Sequence, residues 1–223
     1  MKILLVAATP FEIAPTLEAL NGGPLAAPLP AFSRYALSNR ELSVLITGVG
    51  LPLAAFSLAT VLARDRFDQA IQAGVGGAID PALPLESVVE VISERFADLG
   101  AEAADGRFIP VAELGLIPPD MPPFQGGALL NSSPLTRHPQ VQGISVNRVH
   151  GFAPSIEALR AAWPNAQLES MEGAAFFYAC LQHNLPCCQL RAVSNYVEPR
   201  NRAGWRLEGA IQALNEALKE VVF

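Results

Sequence analysis

The sequence lacks the features that membrane proteins and nucleic-acid-binding proteins need. Of its 223 residues, 51% are hydrophobic, but glycine, proline or charged residues interrupt every apolar run. A membrane-spanning helix takes about 20 apolar residues, and no run approaches that length. The chain has 15 basic and 21 acidic residues, a net charge of −6 and no basic cluster. This balance argues against nucleic acid and anionic membranes as extended partners. The length fits a single domain over residues 1–223 with one core.

Cysteine is also scarce, which excludes a disulfide framework. The only cysteines are Cys180, Cys187 and Cys188, an odd number in an otherwise cysteine-poor chain. Their spacing with His183 suggests zinc, but two adjacent cysteines at the start of a strand point to opposite faces. We therefore interpret them as core thiols of a cytoplasmic protein and predict no metal and no cofactor.

Predicted strands and helices alternate along the chain. The strands are predicted over 2–8, 32–38, 41–47, 70–73, 87–93, 141–149 and 187–194, and the helices over 11–20, 51–64, 154–162, 171–183 and 205–221. Residues 97–134 are Pro-rich and predict an ordered excursion with little regular structure. The alternation predicts an α/β fold, a three-layer αβα arrangement around a mixed, largely parallel sheet.

The segment Thr9-Pro10-Phe11-Glu12 follows the first predicted strand. It is typical of a capping box, with a threonine N-cap, proline at the first helical position and an acid at the third. A second interpretation places Glu12 at the carboxyl end of that strand, where a carboxylate can remove a proton from an attacking water. Both interpretations hold if the cap does not use the whole carboxylate.

Two further predicted strands run into the glycine-containing segments Thr47-Gly48-Val49-Gly50 and Gly74-Val75-Gly76-Gly77. Such residues let the backbone approach a ligand closely, although glycine turns after strands are common. Together with Glu12 they favour a small-molecule crevice at the carboxyl ends of the strands. The candidate substrate-binding residues here are Thr47, Val75 and Gly76.

Glu172 is a lone carboxylate at the start of a predicted helix. Acids there usually favour the helix dipole and are solvated. The next residues, Gly173 to Phe177, are apolar, so this acid needs a partner if it is buried. The two hydroxyls of a ribose would satisfy it. Asn195 follows the predicted strand 187–194 and is by default a turn residue, with ligand binding as the alternative.

The three histidines belong to no nucleophile motif, and no Gly-x-Ser-x-Gly is present. His138 and His183 fit surface positions. His150 lies in the segment 147–151, just after a predicted strand, and is a candidate for contact with substrate. Arg148 and Val149 share that segment, and Arg148 is a possible partner for an anionic group.

In order and approximate spacing, these motifs resemble the nucleoside phosphorylase and nucleosidase superfamily along nearly the whole chain. Segments 96–102, 113–116 and 194–200 are most similar to its futalosine hydrolase branch. Two residues depart from the shared pattern. Ser170 stands where many nucleosidases have a second acid, and Val75 replaces a hydroxyl residue.

The resemblance implies hydrolysis of the N-glycosidic bond of a purine nucleoside by a homo-oligomer. Glu12 would activate water, Glu172 would hold the ribose hydroxyls, and Met171 would pack on the sugar beside Ser170. The strand ends near Glu12 carry no lysine or arginine, so we expect water rather than phosphate as the nucleophile. A phosphorylase and a non-catalytic nucleoside-binding module remain alternatives.

The identity of the base depends on Asn195, because adenine-specific nucleosidases have an aspartate at that place. A protonated aspartate can give a proton to N7 of adenine, whereas asparagine has none to give. Its amide can instead donate to O6 of a 6-oxopurine, and its carbonyl can accept from an N7–H that forms as the base leaves. This favours hypoxanthine, hence futalosine, as the implied substrate. A nucleosidase for methylthioadenosine, adenosylhomocysteine or aminofutalosine is the alternative.

Overall fold

The structure is a computed structural model that describes residues 1–21, 29–131 and 133–222. The strands are β1 (Lys2–Ala7), β2 (Ala31–Ala36), β3 (Glu41–Ile46), β4 (Gln69–Ala78), β5 (Val88–Glu94), β6 (Gly100–Glu102), β7 (Phe108–Pro110), β8 (Phe124–Gln125), β9 (Ala128–Leu130), β10 (Gln140–Ser145), β11 (Leu168–Ser170) and β12 (Cys187–Tyr196). The helices are α1 (Ala14–Ala19), α2 (Leu51–Leu62), α3 (Ala153–Ala162), α4 (Gly173–Gln182) and α5 (Leu207–Val222), with 3₁₀ turns at Pro10–Ile13 and Arg202–Gly204.

The main sheet runs in the order β2-β3-β1-β4-β11-β10-β5-β9-β8, and β12 pairs with both β4 and β5. β12 is parallel to β4, so the carboxyl ends of these two strands lie together. The register places Arg191 opposite Gly74 and Asn195 opposite Gly77, with an irregularity between Val193 and Asn195. An irregularity of this kind re-aims the side chains that follow it.

The helices cover both faces of the sheet. Residues of α1 and α5 pack with β1, β3, β4 and β12 in one buried cluster, and residues of α2 and α4 form a second cluster with the other side of β1 and β3. The predicted α/β fold with a mixed central sheet is confirmed. The single domain over residues 1–223 stays a prediction. No helix within the described ranges is long and apolar enough to cross a bilayer.

The structure corrects several predicted element boundaries. The segment Gly74 to Gly77 lies inside β4 rather than after it, because β4 continues to Ala78 in register with β12. β10 ends at Ser145, so His150 lies in the following loop and not directly after a strand. β11 has only three residues and carries no periodic pattern for sequence reasoning to detect. The excursion over 97–134 contains the four short strands β6 to β9.

The buried Asn215 of α5 fixes the turn that carries Glu12. Its Oδ1 accepts from the Thr16 backbone N–H at 3.1 Å and from the Thr16 hydroxyl at 2.6 Å. Its Nδ2 donates to the Glu12 carbonyl at 2.9 Å and to the Ile211 carbonyl at 2.8 Å. Because Asn215 is 2% exposed, water cannot replace these contacts. The last helix therefore positions the first candidate catalytic residue.

Asn215→Leu should lower the free energy of unfolding by about 2–4 kcal/mol, because it leaves buried groups of Thr16 and Glu12 without partners. Urea denaturation followed by circular dichroism measures the change. The control is Glu216→Ala on the exposed side of the same helix, which should change stability by about 0.5 kcal/mol or less. Equal effects of the two substitutions would contradict this role for Asn215.

Candidate active site

Glu12 is buried, and its two carboxylate oxygens have different partners. Oε2 accepts from the Thr9 backbone N–H at 2.9 Å and from the Thr9 hydroxyl at 3.1 Å, as the capping box predicts. Oε1 accepts from the backbone N–H of Val75 in β4 at 3.2 Å. A carboxylate oxygen can accept more than one hydrogen bond, so Oε1 still has capacity for a water. The capping interpretation and the ligand-facing interpretation of Glu12 hold together.

Glu172 is the N-cap residue of α4, but its side chain makes no hydrogen bond to its own helix. Its Oε1 instead accepts from the backbone N–H of Gly50 at 2.8 Å. Gly50 has a φ of +100°, a conformation that favours glycine. Burial raises the pKa of the Glu172 carboxyl, Arg191 and the Gly50 N–H act against that rise, and the Glu12 charge adds to it. Glu172 therefore does more than cap a helix, and its carboxylate faces Glu12.

Arg191 lies close to Glu172, and its guanidinium approaches Gly74 from β12, as the Glu12 carboxylate does from the turn after β1. Its side chain is 1% exposed, and its Nη1 lies 3.7 Å from Oε2 of Glu172. A Cβ at Gly74 would overlap Nη1 of Arg191 and lie 2.9 Å from Oε1 of Glu12, so the guanidinium and the Glu12 carboxylate both approach that glycine. Nε and Nη2 of Arg191 have no hydrogen-bond partner among the described protein atoms. Donors that are buried and unpaired are available to a ligand.

A buried polar network supports the N-terminus of α4. Glu94 is fully buried and accepts from Gln189 Nε2 at 2.8 Å and from the Ser145 hydroxyl at 2.9 Å. The Ser145 oxygen in turn accepts from the Ala174 N–H at 2.8 Å. Burial raises the pKa of Glu94 to about 7, although both hydrogen bonds act against the rise. Because a Cβ at Gly173 would overlap Oε1 of Glu94, only glycine lets α4 begin directly over this carboxyl.

Residues near these carboxylates differ in what they offer a substrate. Thr47 is buried, and its hydroxyl points at the Gly48 carbonyl, 2.7 Å away. Val75 contributes its backbone N–H to Glu12, and the Gly76 carbonyl accepts from the Ser194 hydroxyl at 3.2 Å. Ser170 is buried, with its hydroxyl 3.4 Å from that of Ser145. Of the sequence-predicted contacts, Thr47 and Ser170 therefore serve local structure here.

Asn195 lines a small cavity of about 80 Å³ that also contains Gly77, His150 and Glu169. Its Oδ1 accepts from the Ser194 hydroxyl at 2.8 Å, and its Nδ2 donates to the Tyr196 carbonyl at 3.0 Å. An amide has two donor hydrogens and two acceptor lone pairs. One donor and one acceptor of Asn195 therefore remain for a ligand.

The loop after β10 brings His150 to this cavity and leaves its neighbour Arg148 exposed. Val149 lines the cavity although it is 41% exposed. His150 contacts the buried Glu169 twice, through its backbone N–H at 3.0 Å and through Nδ1. Met171 lies half-buried between Ser170 and Glu172. Arg148 is exposed and is not among the residues that line this cavity.

Sequence reasoning missed three site residues: Arg191, Glu169 and Glu94. Each lies within a strand, where a polar residue gives no motif. A charged residue inside an apolar run could have identified them, because a buried ionisable residue needs a partner. Cavity size does not identify the candidate site, because a larger cavity of about 600 Å³ beside Trp163 contains none of the candidate residues. Within the described ranges, no group of three or more His, Cys, Asp or Glu is arranged to hold a metal ion.

Comparisons with known proteins place this geometry in a family. A family model described as the Phosphorylase superfamily matches residues 2–222. The chain is 37% identical to a futalosine hydrolase of Streptomyces coelicolor, over 78% of this chain and 76% of that protein. It is 32% identical to a futalosine hydrolase of Acidothermus cellulolyticus, over 97% of this chain and 88% of that protein.

A solved structure shares the fold. A 5′-methylthioadenosine/S-adenosylhomocysteine nucleosidase from Neisseria meningitidis, in complex with methylthio-immucillin-A, superposes with a TM-score of 0.81. It is 18% identical in sequence and is covered over 98% of its length, with 99% of this chain covered. The matching fold, the family model over nearly the whole chain and the similarity to two futalosine hydrolases show that this chain belongs to the Phosphorylase superfamily.

Proposed function

We propose that the protein hydrolyses futalosine to hypoxanthine and dehypoxanthine futalosine, a step of the alternative menaquinone pathway. The observation that carries the proposal is that Glu12 and Arg191 both approach Gly74, while Nη1 of Arg191 lies 3.7 Å from Oε2 of Glu172. Gly77 of the same strand lines the cavity that contains Asn195. The coarser class agrees with the relatives, because the futalosine hydrolases and the nucleosidases among them are N-glycosyl hydrolases. The protein is an N-glycosyl hydrolase in this sense.

Glu12 is the general base. Its Oε2 is fixed by Thr9, and its Oε1 faces the guanidinium of Arg191 beside Gly74. A water bound between them would give a proton to Glu12 and attack C1′ of the ribose. A positioned base of this kind contributes about 10²–10⁴ in rate. Nη1 of Arg191, the guanidinium nitrogen nearest Gly74, would orient the same water, so the base and the nucleophile are held by one buried cluster.

Glu172 holds the sugar. Because its Oε1 is occupied by the Gly50 N–H, its Oε2 is the oxygen that can accept from the ribose hydroxyls. N-glycoside cleavage passes through an oxocarbenium-like state, as O-glycoside cleavage does, and a carboxylate close to the sugar stabilises the developing positive charge. Met171 would pack against the sugar from the same junction of β11 and α4.

Asn195 selects the base. The donor that remains on its amide suits O6 of a 6-oxopurine, and the remaining carbonyl lone pair suits an N7–H. Asparagine cannot supply the proton that a protonated aspartate would give to adenine. This discrimination acts mostly in the transition state, where the base leaves. Hypoxanthine is therefore favoured over adenine as the base that is released.

Water is favoured over phosphate as the nucleophile. The strand ends near Glu12 carry no lysine or arginine, but the guanidinium of Arg191 reaches Gly74 from the interior of β12. With both carboxylates ionised, however, Glu12, Glu172 and Arg191 together carry a charge of −1. A phosphate dianion would enter against that charge and compete with Glu172 for the guanidinium. A non-catalytic binding module would need neither the base Glu12 nor its partner Arg191.

A cytoplasmic location and a homo-oligomer complete the proposal. The free cysteines Cys180, Cys187 and Cys188 are all buried, which suits a reducing compartment. Leu53 and Phe56 of α2 are exposed apolar side chains, at 47% and 65%, and are available to a second subunit.

Glu12→Gln and Glu172→Gln should each lower kcat for futalosine by about 10²–10⁴-fold, because each removes a charge that the reaction needs. Hypoxanthine release measured by chromatography gives kcat, and circular dichroism checks folding. Glu90→Gln is the matched control, since Glu90 is a buried carboxylate that accepts from the Leu135 and Thr136 N–H groups elsewhere in the sheet. A folded Glu12 or Glu172 variant with near-normal kcat would remove that residue from the mechanism.

Asn195→Asp should shift kcat/KM away from futalosine and towards its 6-amino analogue, by about tenfold or more in the ratio, because each good base contact contributes roughly 1–3 kcal/mol of discrimination. Initial rates with futalosine, the 6-amino analogue, inosine and methylthioadenosine measure it. Asn201→Asp, in the same cavity, should leave the ratio unchanged. A wild type that prefers the adenine nucleosides would refute the assignment of hypoxanthine.

A further inference from the structure

The reaction needs a proton on the leaving purine, and Asn195 has none to supply. A purine that leaves without protonation is a poor leaving group, so an acid near N7 would accelerate the cleavage. A role for such an acid rests on the proposed hydrolysis of a 6-oxopurine nucleoside. We propose that His150 is the general acid that protonates the departing purine and that Glu169 is its positioning residue.

The side chain of Glu169 contacts His150 through both carboxylate oxygens. It is 3% exposed and lies on β11, the short strand that pairs with Gly77 of β4. Its Oε1 accepts from the His150 backbone N–H at 3.0 Å, and its Oε2 contacts the ring at Nδ1. These are its only side-chain hydrogen bonds within the described ranges. A buried carboxylate with two contacts to one residue fixes both the position and the ring orientation of that residue.

The contact at Nδ1 also decides what the other ring nitrogen does. When Nδ1–H donates to a carboxylate, Nε2 is the atom left to exchange a proton with a ligand. Nε2 of His150 has no hydrogen-bond partner among the described protein atoms, and the His150 side chain is 19% exposed. The ring lines the cavity that contains Gly77 and Asn195. His150 therefore presents one free nitrogen where the base is proposed to bind.

Two carboxylates and one guanidinium belong to the residues that line the cavity. Glu169 contacts the His150 ring directly, and Glu198 lines the same cavity. Arg200 is the one cation among the cavity residues, and its guanidinium lies 5.5 Å from the centre of the Trp205 ring. A carboxylate held against an imidazole stabilises the imidazolium form, as it does in carboxylate–histidine pairs of other enzymes. The imidazolium is the form that carries a transferable proton at Nε2.

Every proton and electron pair is accounted for in the proposed step. The Nε2 proton of His150 moves to N7 of the purine as the bond between C1′ and N9 breaks, and the electron pair of that bond enters the purine ring. Hypoxanthine leaves as a neutral base with N7–H next to the Asn195 carbonyl. Water adds to C1′, and its proton passes to Glu12. Release of that proton to solvent and uptake of another by His150 restore both groups.

The test compares leaving groups that need a proton with leaving groups that do not. His150→Gln should lower kcat for futalosine by about 10²–10³-fold, within the range for loss of a general acid. The same variant should lose less than about fivefold on N7-methylfutalosine and on 4-nitrophenyl β-D-ribofuranoside, whose leaving groups depart without protonation. Glu169→Gln should show the same selective loss. A purely structural role would lower the rates with all three substrates alike.

The control is Glu157→Gln, which removes an exposed carboxylate of α3 and leaves the contacts of His150 intact. It should keep the ratio of the three rates. Equal losses on all substrates in His150→Gln, or no loss on futalosine, would overturn the inference while leaving the proposed function in place. A wild type that releases no hypoxanthine from futalosine would overturn the proposed function itself, and with it this role for His150.

Discussion

The site depends on the burial of the Arg191 guanidinium, which lies 3.7 Å from Glu172 and approaches Gly74 together with Glu12. Removing such groups from water is costly, and one charge left without its partner would destabilise the fold by about 3–5 kcal/mol. The three residues come from the turn after β1, the junction of β11 with α4, and the interior of β12. They can meet only because Gly74 leaves room for the guanidinium. The pairing of β12 with β4 therefore sets the position of the candidate catalytic groups.

The two carboxylates of this cluster are held differently, and the difference matches their proposed roles. Glu12 receives hydrogen bonds from Thr9 and Val75, which fix the position of its carboxylate. Glu172 has a pKa raised chiefly by burial and is restrained by Gly50 and Arg191. An anion that is poorly solvated interacts more strongly with a positive charge that develops beside it. Substrate binding and charge stabilisation thus follow from one buried arrangement.

A feature could be predicted from the sequence when the residues that form it lie close together along the chain. The capping box at Thr9 and Glu12 is local, and the structure contains it. Arg191 looked like one residue of an apolar strand, because its partners lie more than 15 positions away along the chain. Glu169 was missed because its strand has three residues, and its role emerges only from its contact with His150. Most strands are continuous apolar runs, and most strands and helices were predicted to within a few residues.

The central claim is that water held by Glu12 and Arg191 attacks the ribosyl carbon of a 6-oxopurine nucleoside. Incubation with futalosine in H₂¹⁸O, with and without inorganic phosphate, tests it most directly by mass spectrometry of both products. We expect one ¹⁸O in the C1′ hydroxyl of the sugar product at early times, unlabelled hypoxanthine, and a rate that does not depend on phosphate. A sugar phosphate as the product, or a rate that requires phosphate, would contradict it.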